Sequence, residues 1–510
     1  MLTRTWSSAI QGVETVTIEI EVNTYNDKDT HINVIGMPDT AVRESKDRVW
    51  SAVFSAGYKP PMGQTTINLA PADVRKEGSA FDLPIALGMI AATNEFDRDV
   101  LKHSMIVGEL ALDGSVRPAR GVLPTAMHAA RCGMRNLFVP ADNAEEAGIA
   151  QGLNVYGIRH LREAVQFFKG ENELQPVRVD LNDLFTHIAG SAPDMAEVKG
   201  QETAKRALEV ACAGGHNVLL IGAPGTGKSM LAKRLPSILP PLTLEEALET
   251  TRIHSIAGAL PPDMPLVTQR PFRSPHHTVS DAGLLGGQSV PRPGEISLGH
   301  NGVVFLDELP EFKRHVLEVL RQPLESGEVT ISRATGSYTF PANFMMIAAM
   351  NPCPCGHYGS TQRQCRCGYS ARQRYRSRVS GPLLDRIDIH VEVSPISDQE
   401  LMTRRTGEPS AAIRERVVRA RRAQQQRYAG SGIHCNAQML PRHLDEFCHL
   451  DGPCASLLKL AINDMNLSAR AFDRILRVAR TLADLEGAEK LSPVHLSEAI
   501  QYRSLDRQLW

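Results

Sequence analysis

The chain has 510 residues, 42% of them hydrophobic and 22% charged, which is enough for about three domains that each bury a core. The formal net charge of -1 excludes a global basic field, so any contact with nucleic acid must come from local patches. Its apolar runs are too short to span a bilayer and no signal segment opens it, so we predict a cytoplasmic protein.

The first block of the chain, residues 1–170, is predicted to be an α/β domain. Apolar side chains alternate with polar ones from Val16 to Val22, which is the pattern of a half-buried strand. Asp113 and Gly114 follow an apolar run and give a strong hairpin-turn signal. Two further strands and a helix are expected at 32–35, 65–69 and 40–55.

A phosphate-binding loop follows the polar segment 171–193, which is predicted to be a linker. The octapeptide GAPGTGKS fits G-x-x-x-x-G-K-[ST] and lies between an apolar strand and a predicted helix. Backbone N–H groups of such loops face phosphate oxygens, the lysine reaches the β- and γ-phosphates, and the hydroxyl ligates Mg²⁺. We therefore predict that the chain binds ATP and Mg²⁺ through Gly222, Ala223, Pro224, Gly225, Thr226, Gly227, Lys228 and Ser229.

An acidic pair downstream predicts that the nucleotide is also hydrolysed. Residues 303–306 form a continuous apolar run, typical of a buried parallel strand, and Asp307 and Glu308 follow at its carboxyl end. Asp307 is expected to hold Mg²⁺ through water. Glu308 is expected to orient and polarise the attacking water, because phosphoryl transfer depends mostly on positioning and charge stabilisation.

Four of the nine cysteines lie within fifteen residues, at Cys353, Cys355, Cys365 and Cys367. Four thiolates suit a tetrahedral Zn²⁺ ion, and a cytosolic location disfavours disulfides. We predict a structural zinc site, with His357 as a spare ligand and free or redox-active thiols as the alternative. Because both nucleotide motifs lie outside this loop in sequence, loss of zinc is expected to leave basal ATP hydrolysis intact.

The same insertion, 353–380, is strongly basic. Residues 361–380 contain six arginines and no acidic residue, with Tyr369 and Tyr375 between them. The arginines are Arg363, Arg366, Arg372, Arg374, Arg376 and Arg378. Arginines with aromatic residues suit phosphate contact and base stacking, whereas contacts to nucleotide or to a neighbouring subunit are the open alternative.

The last block, 396–510, is helical by its periodicity, for example at 413–427 and 468–485. The P-loop core is predicted at 194–395. A short all-helical domain that follows such a core is predicted to form a lid.

Seven segments together resemble the magnesium-chelatase-like AAA+ ATPases of the bacterial YifB/ComM family. They are 194–201, the phosphate-binding loop, 272–277, 284–287, 320–331, 350–356 and 381–388. The resemblance covers essentially the whole chain and implies an α/β fold in three parts. These parts are an N-terminal Lon-protease-like domain, a P-loop AAA+ core whose parallel sheet has helices on both faces, and a C-terminal helical lid.

The resemblance also implies roles for three polar residues. Asn351 matches the sensor-1 position, which helps to orient the lytic water, and Arg470 matches the sensor-2 arginine of the lid. Arg386 matches the arginine finger that reaches the γ-phosphate bound by the neighbouring subunit, with Arg378 as a rival. Sites completed in this way imply a homo-oligomeric ring, most simply a hexamer.

The N-terminal block departs from active Lon-type proteases. Ala80 aligns with their serine nucleophile, Ser79 lies one residue early, and Leu123 aligns with their lysine. Because a Ser–Lys dyad needs a hydroxyl and an amine within hydrogen-bond reach, we expect no protease activity. The domain is interpreted as a scaffold or a platform for a partner.

The family resemblance and the basic insertion together predict action on single-stranded or branched DNA. In related helicase-like proteins, insertions such as those at 284–294 and 328–340 project into the pore, where Arg292, Arg333 and Tyr338 would touch a threaded strand. The expected activity is that of a helicase or branch-migration motor in homologous recombination or natural transformation. The alternative is a chelatase-type motor that remodels a protein partner for metal insertion.

Overall fold

The computed structural model describes two compact units. The first comprises Met1–Ile188, Leu244–Thr268 and Ala334–Thr339, and the second comprises Ala189–Thr243, Gln269–Arg333 and Phe340–Trp510. The described residues are 1–25, 27, 29–186, 192–261, 263–287, 291–333, 336–359, 363–396, 407–465 and 467–504. Within these ranges, no helix is long and apolar enough to cross a bilayer. The predicted division at 170, 193 and 395 stays a prediction.

The first unit is built on a mixed seven-stranded sheet. The first strands of the chain are β1 (Leu2–Gln11), β2 (Glu14–Tyr25), β3 (His31–Ile35), β4 (Gln64–Ala70), β5 (Ser104–Ile106), β6 (Glu109–Leu110), β7 (Val116–Arg117), β8 (Asn136–Pro140) and β9 (Asn154–Ile158). The order in the sheet is β3-β4-β2-β1-β5-β8-β9. β2 is antiparallel to β1 and β4, and the other neighbours pair in parallel.

The strands, the helix Thr40–Ser55 and the hairpin predicted for this unit are confirmed. In β2, Ile18, Ile20 and Val22 are buried, whereas the residues between them are only half-buried. β6 and β7 form the antiparallel hairpin expected at the Asp113–Gly114 turn, where Gly114 has a φ of +90° that favours glycine.

Helices cover this sheet and complete the core of the first unit. They are Thr40–Ser55, Asp82–Ala92, Val122–Arg131, Ala144–Gly148, Leu161–Lys169, Leu181–Thr186 and Leu244–Ala257. Every residue of Asp82–Ala92 is buried, so this helix is apolar on all sides. The last helix lies between the two nucleotide motifs in sequence, yet the Ser255 carbonyl accepts the Gly121 N–H at 3.1 Å within this unit.

The second unit is built on a five-stranded parallel sheet. The later strands of the chain are β10 (Val218–Ile221), β11 (Phe272–Arg273), β12 (Gly286–Gly287), β13 (Arg292–Pro293), β14 (Val303–Leu306), β15 (Glu328–Arg333), β16 (Gly336–Pro341), β17 (Met345–Met350) and β18 (Ile389–Glu392). The sheet order is β11-β14-β17-β10-β18. β10, β14 and β17 are buried throughout, as their continuous apolar sequences predict.

Both predicted insertions contain short hairpins, because β12 pairs with β13 and β15 pairs with β16. Residues 288–290 and 334–335, which separate the paired strands in sequence, lie outside the described residues. The hairpins touch, since a Cβ on Gly287 would lie 3.2 Å from the Arg333 guanidinium. Tyr338 instead lies against Gly12 in the first unit. Whether Arg292, Arg333 and Tyr338 face a pore stays a prediction.

The helices of the second unit lie between Glu202 and Gln501 among the described residues. They are Glu202–Gly214, Lys228–Lys233, Asp281–Leu284, Glu295–Leu298, Arg314–Val319, Arg321–Ser326, Tyr369–Arg376, Gly381–Leu384, Ser410–Arg427, Pro441–Phe447, Gly452–Met465, Ala469–Glu486 and Pro493–Gln501. The helices predicted at 413–427 and 468–485 are confirmed. One apolar cluster joins β10 and β17 to Ala469–Glu486, so sheet and C-terminal helices share a core.

Candidate nucleotide-binding site and cysteine cluster

Three parallel strands of the second unit bring the predicted nucleotide residues to one edge of the sheet. β10 leads into the phosphate-binding loop, β14 into Asp307 and Glu308, and β17 into Asn351. Because the carboxyl ends of parallel strands share an edge, residues far apart in sequence meet there.

The phosphate-binding loop wraps around Lys228. Gly225 and Gly227 have φ angles of +81° and +94°, which glycine adopts without steric cost. The Lys228 ammonium donates to the carbonyls of Gly222 at 2.7 Å and Ala223 at 2.9 Å, and the residue is only 8% exposed. Burial lowers the pKa of Lys228, an effect that the charges of nearby Asp307 and Glu308 oppose.

The acidic pair lies directly beside this loop. The Ser229 hydroxyl donates to Asp307 Oδ2 at 2.5 Å, and the Glu308 N–H donates to Asp307 Oδ1 at 3.0 Å. Glu308 has a φ of +53°, which is uncommon outside glycine and recurs at functional sites. Its carboxylate is 58% exposed and lies 3.7 Å from Nδ1 of His277.

These groups fit a magnesium nucleotide. A buried ammonium within a wrapped glycine loop suits phosphate oxygens, and the Ser229 hydroxyl beside Asp307 offers the hard oxygen ligands that Mg²⁺ prefers. When bound, the ion would neutralise charge on the phosphates. Lys228 would hold the phosphates, Asp307 and Ser229 the ion, and Glu308 the attacking water. These residue roles stay predictions.

Asn351 contacts the loop lysine, as a sensor of bound phosphate would. Its Oδ1 accepts from Lys228 Nζ at 3.2 Å, and its backbone N–H donates to the Tyr375 hydroxyl. Tyr375 is 7% exposed, and burial raises its pKa to about 12. The prediction that Tyr375 is available for base stacking is therefore wrong, because this ring packs inside and supports Asn351.

Arg386 is held within its own chain. Its guanidinium donates to the Glu325 carboxylate and to the Pro382 carbonyl at 2.7 Å, and its side chain is 12% exposed. Arg386 is the main cause of a lowered pKa at Glu325, and Arg470 adds to it from the first turn of Ala469–Glu486. The contacts of Lys228 and Ser229 given above include neither arginine. The finger and sensor-2 roles stay predictions.

Arg378, the rival finger, is also paired within the chain. Its guanidinium lies 2.9 Å from Glu311 and donates to the Pro310 carbonyl at 3.1 Å. Its side chain is 52% exposed, however, so it is more accessible than Arg386.

The four clustered cysteines meet in space. Their sulfur atoms all lie within 4.8 Å of one another, and Cys353 Sγ is 3.4 Å from Cys355 Sγ and 3.7 Å from Cys365 Sγ. Thiolates around Zn²⁺ at about 2.3 Å would be separated by about 3.8 Å, so the cluster fits this ion. The backbone N–H groups of His357 and Arg366 lower the pKa of Cys355 to about 6. His357 itself is not part of the group, so its role as a spare ligand is not supported.

An arginine-rich surface adjoins the cysteine cluster. Tyr369 is 70% exposed at the start of the helix Tyr369–Arg376, and Tyr358 is 44% exposed. The Arg372 guanidinium lies 4.3 Å from the centroid of the Tyr358 ring. The exposed arginines of this segment are Arg363, Arg366, Arg374 and Arg378.

In the described part of the first unit, the serine and the lysine near the expected protease positions bond to other groups and not to each other. The Ser79 hydroxyl donates to Glu109, and the amine of buried Lys76 donates to the Pro71 carbonyl. Leu123 is fully buried. The absence of protease activity stays a prediction.

Three family models of magnesium chelatase match consecutive segments of the chain. The model of subunit ChlI of Mg-chelatase matches residues 20–143. The model of magnesium chelatase, subunit ChlI, matches residues 194–401, and its C-terminal model matches residues 407–503.

Full-length relatives decide the family. Competence protein ComM of Haemophilus influenzae is 44% identical over 507 residues, which cover 99% of this chain and 98% of that protein. The chain belongs to the ComM/YifB family. The uncharacterized protein YifB of Salmonella typhimurium is 43% identical to this ComM/YifB member over 504 residues, 98% of this chain and 97% of that protein.

A more distant relative connects the ComM/YifB chain to the chelatases. The magnesium-chelatase 38 kDa subunit of Rhodobacter capsulatus is 25% identical over 328 residues, covering 59% of this chain and 83% of that protein. The chain is therefore an AAA+ ATPase of the magnesium-chelatase type, with an ATP-binding core in its second unit.

Sequence reasoning missed several partners of the site residues. His277 lies in the segment 272–277, but nothing in that segment indicated a contact with Glu308. Glu325 carries no local signal for pairing with Arg386, because 61 positions separate them. Both contacts depend on the tertiary fold.

Proposed function

We propose that this ComM/YifB-family ATPase forms a ring, most simply a hexamer, that uses Mg²⁺ and ATP to move DNA and drives branch migration of recombination intermediates. The observation that carries this proposal is the arginine-rich surface beside the nucleotide site. The likeness to a competence protein points in the same direction.

The charge and shape of this surface suit a nucleic-acid backbone. Six arginines and no acidic residue lie between positions 361 and 380, while the whole chain has a net charge of -1. Arginine guanidiniums contact phosphates, and an exposed ring such as Tyr369 provides a face on which a base can stack.

The four-cysteine cluster supports this surface. Cys355 and Cys365 are ten positions apart in this polar segment, yet their sulfur atoms lie 3.7 Å apart. Gly359 between them has a φ of +80°, which favours glycine. Zn²⁺ held by Cys353, Cys355, Cys365 and Cys367 would order this polar segment, because the free energy of metal binding becomes folding free energy.

A charge-reversal experiment on a labelled four-way DNA junction tests DNA binding. Arg366→Glu with Arg374→Glu should weaken binding at least about tenfold, and wild-type affinity should fall steeply between 50 and 200 mM salt. Arg419→Glu with Arg422→Glu, on the helix Ser410–Arg427, is the matched control and should change binding less than about twofold.

The same junction tests movement. Wild-type protein with ATP should convert the junction to duplex products, whereas Glu308→Gln should bind it without conversion. Unchanged junctions, together with no salt-sensitive binding, would contradict the proposal.

A second candidate rests on the match to the magnesium-chelatase 38 kDa subunit. In that case the ATPase remodels a protein partner for metal insertion, and the arginine-rich surface serves contacts between subunits. ATP turnover that is the same with and without DNA, together with junctions that stay intact, would favour this candidate.

A further inference from the structure

The cysteine loop, whose described residues are 353–359 and 363–367, packs directly on the phosphate-binding loop. A Cβ atom on Gly356 would lie 2.3 Å from Cδ and 2.6 Å from Cγ of Pro224, so the Gly356 backbone rests on the proline ring. Gly356 directly follows Cys355, and its N–H donates to the Cys353 carbonyl at 2.9 Å. Two metal-ligand candidates, Cys353 and Cys355, therefore lie within three residues of this contact. Both nucleotide motifs lie outside this loop in sequence, but the fold packs the loop against one of them.

A second connection runs through Asn351. Cys353 is fully buried and lies two residues after Asn351, whose side chain accepts from Lys228. From the other side, Tyr375 bonds the Asn351 backbone, and Arg376 Nε donates to the Pro352 carbonyl at 3.4 Å. The segment that connects the lysine contact to the first cysteine is therefore held at Asn351 and Pro352.

We propose that the cysteine loop positions the phosphate-binding loop, so that metal on the four thiolates and nucleotide on Lys228 strengthen each other's binding. The inference rests on the proposed zinc site and nucleotide site. With metal bound, the cluster fixes Gly356 against Pro224. It also fixes Cys353, two residues after Asn351. Without metal, the cysteines make only weak sulfur contacts with one another, and part of the nucleotide's binding energy must order the loop. Linkage requires that the two affinities change by one common factor.

Two glycines of the loop provide a matched pair of variants. Gly356 and Gly359 both have a φ of +80°, so alanine is equally strained at either position. The added methyl meets Pro224 at Gly356, whereas no described residue lies within 4 Å of a Cβ on Gly359. Gly356→Ala should weaken binding of a fluorescent ATP analogue at least about fivefold, and Gly359→Ala less than about twofold.

A rescue variant separates a positioning role from general damage. Pro224→Ala removes the ring atoms that the new methyl would meet, so Gly356→Ala should cost clearly less in that background than in the wild type. Equal losses for Gly356→Ala and Gly359→Ala, or an undiminished loss in the Pro224→Ala background, would overturn the positioning role.

A zinc-removal experiment tests the metal side of the coupling, with wild-type protein stripped of zinc and returned to buffer with Mg²⁺. Stripped protein should bind the ATP analogue at least about fivefold more weakly, and the analogue should slow transfer of zinc to a chelating dye. Bound zinc with unchanged nucleotide affinity would overturn the coupling and leave the metal site intact. Purified protein without zinc would overturn both.

Discussion

The Arg386 guanidinium forms an ion pair with the Glu325 carboxylate of its own chain, and only 12% of the Arg386 side chain remains exposed. An arginine that serves a neighbouring nucleotide must leave or share this carboxylate. Glu325 is 60% exposed, so water screens the pair, which is worth at most about 1 kcal/mol. If the proposed ring forms, the neighbour's γ-phosphate would therefore be able to compete for the guanidinium.

Removing the Glu325 charge should release Arg386 from its ion pair, so that it can act as the proposed arginine finger. We expect Glu325→Gln to raise ATP turnover by about two- to fivefold, the range that a pair of up to about 1 kcal/mol allows. Steady-state ATPase assays at matched protein concentration measure this change. Glu318→Gln is the control, because Glu318 pairs with Arg321 and not with Arg386. Lower turnover in Glu325→Gln, at wild-type thermal stability, would show that the pair holds Arg386 in its active position.

His277 should influence hydrolysis more than nucleotide binding. It lies 3.7 Å from the Glu308 carboxylate and its ring contacts that of His276, and none of the described Lys228 contacts involves it. We expect His277→Ala to lower kcat roughly tenfold with KM for ATP unchanged, because orienting groups behind a reactive centre have effects of this size. His276→Ala should be milder. A raised KM with normal kcat would contradict this role.

Asp388 should stabilise the second unit. Burial alone would raise its pKa, but Arg474 and His216 outweigh this effect and hold the pKa well below its usual range. We expect Asp388→Asn to lower the free energy of unfolding by about 3 kcal/mol, since it leaves a largely buried arginine without its partner. Asp385→Asn, three residues away and half-buried, should cost little.

The pH dependence of this effect follows from the sign of the shift. A carboxyl group whose pKa is lowered by folding stabilises the protein above its unfolded pKa of about 4, and this contribution fades as the pH falls further. In urea titrations, the difference between wild type and Asp388→Asn should be constant near pH 7 and shrink below about pH 4. A difference that grows on acidification would contradict the assignment.

Local patterns explain what could be predicted from the sequence. The phosphate-binding loop, β14 with its acidic pair, and β2 are each specified by neighbouring residues, and all three have their expected structure. The contact between Pro224 and Gly356 could not be predicted in this way, because it depends on how β10 and β17 pair. The burial of Tyr375 was missed for a similar reason, since its alternation with arginines resembles a binding surface.

The two nucleotide motifs should separate binding from turnover. Lys228→Ala removes the ammonium in the loop and should abolish binding of a fluorescent ATP analogue. Glu308→Gln keeps the loop contacts and should bind the analogue normally while turnover stops. Equilibrium binding and ATPase assays on the same preparations measure both. Turnover by Glu308→Gln near the wild-type rate would exclude Glu308 as the residue that orients water.

The central claim is that the nucleotide sites of a ring are completed by Arg386 from the neighbouring chain, and a subunit-mixing experiment tests it most directly. Arg386→Ala and Lys228→Ala chains should each be inactive alone. In 1:1 mixed rings, an Arg386→Ala chain has an intact loop and can receive the finger of a Lys228→Ala neighbour. Roughly a quarter of the interfaces should then be competent, and ATP turnover should recover in proportion. No recovery, with mixed assembly confirmed by energy transfer between labelled subunits, would contradict a shared site.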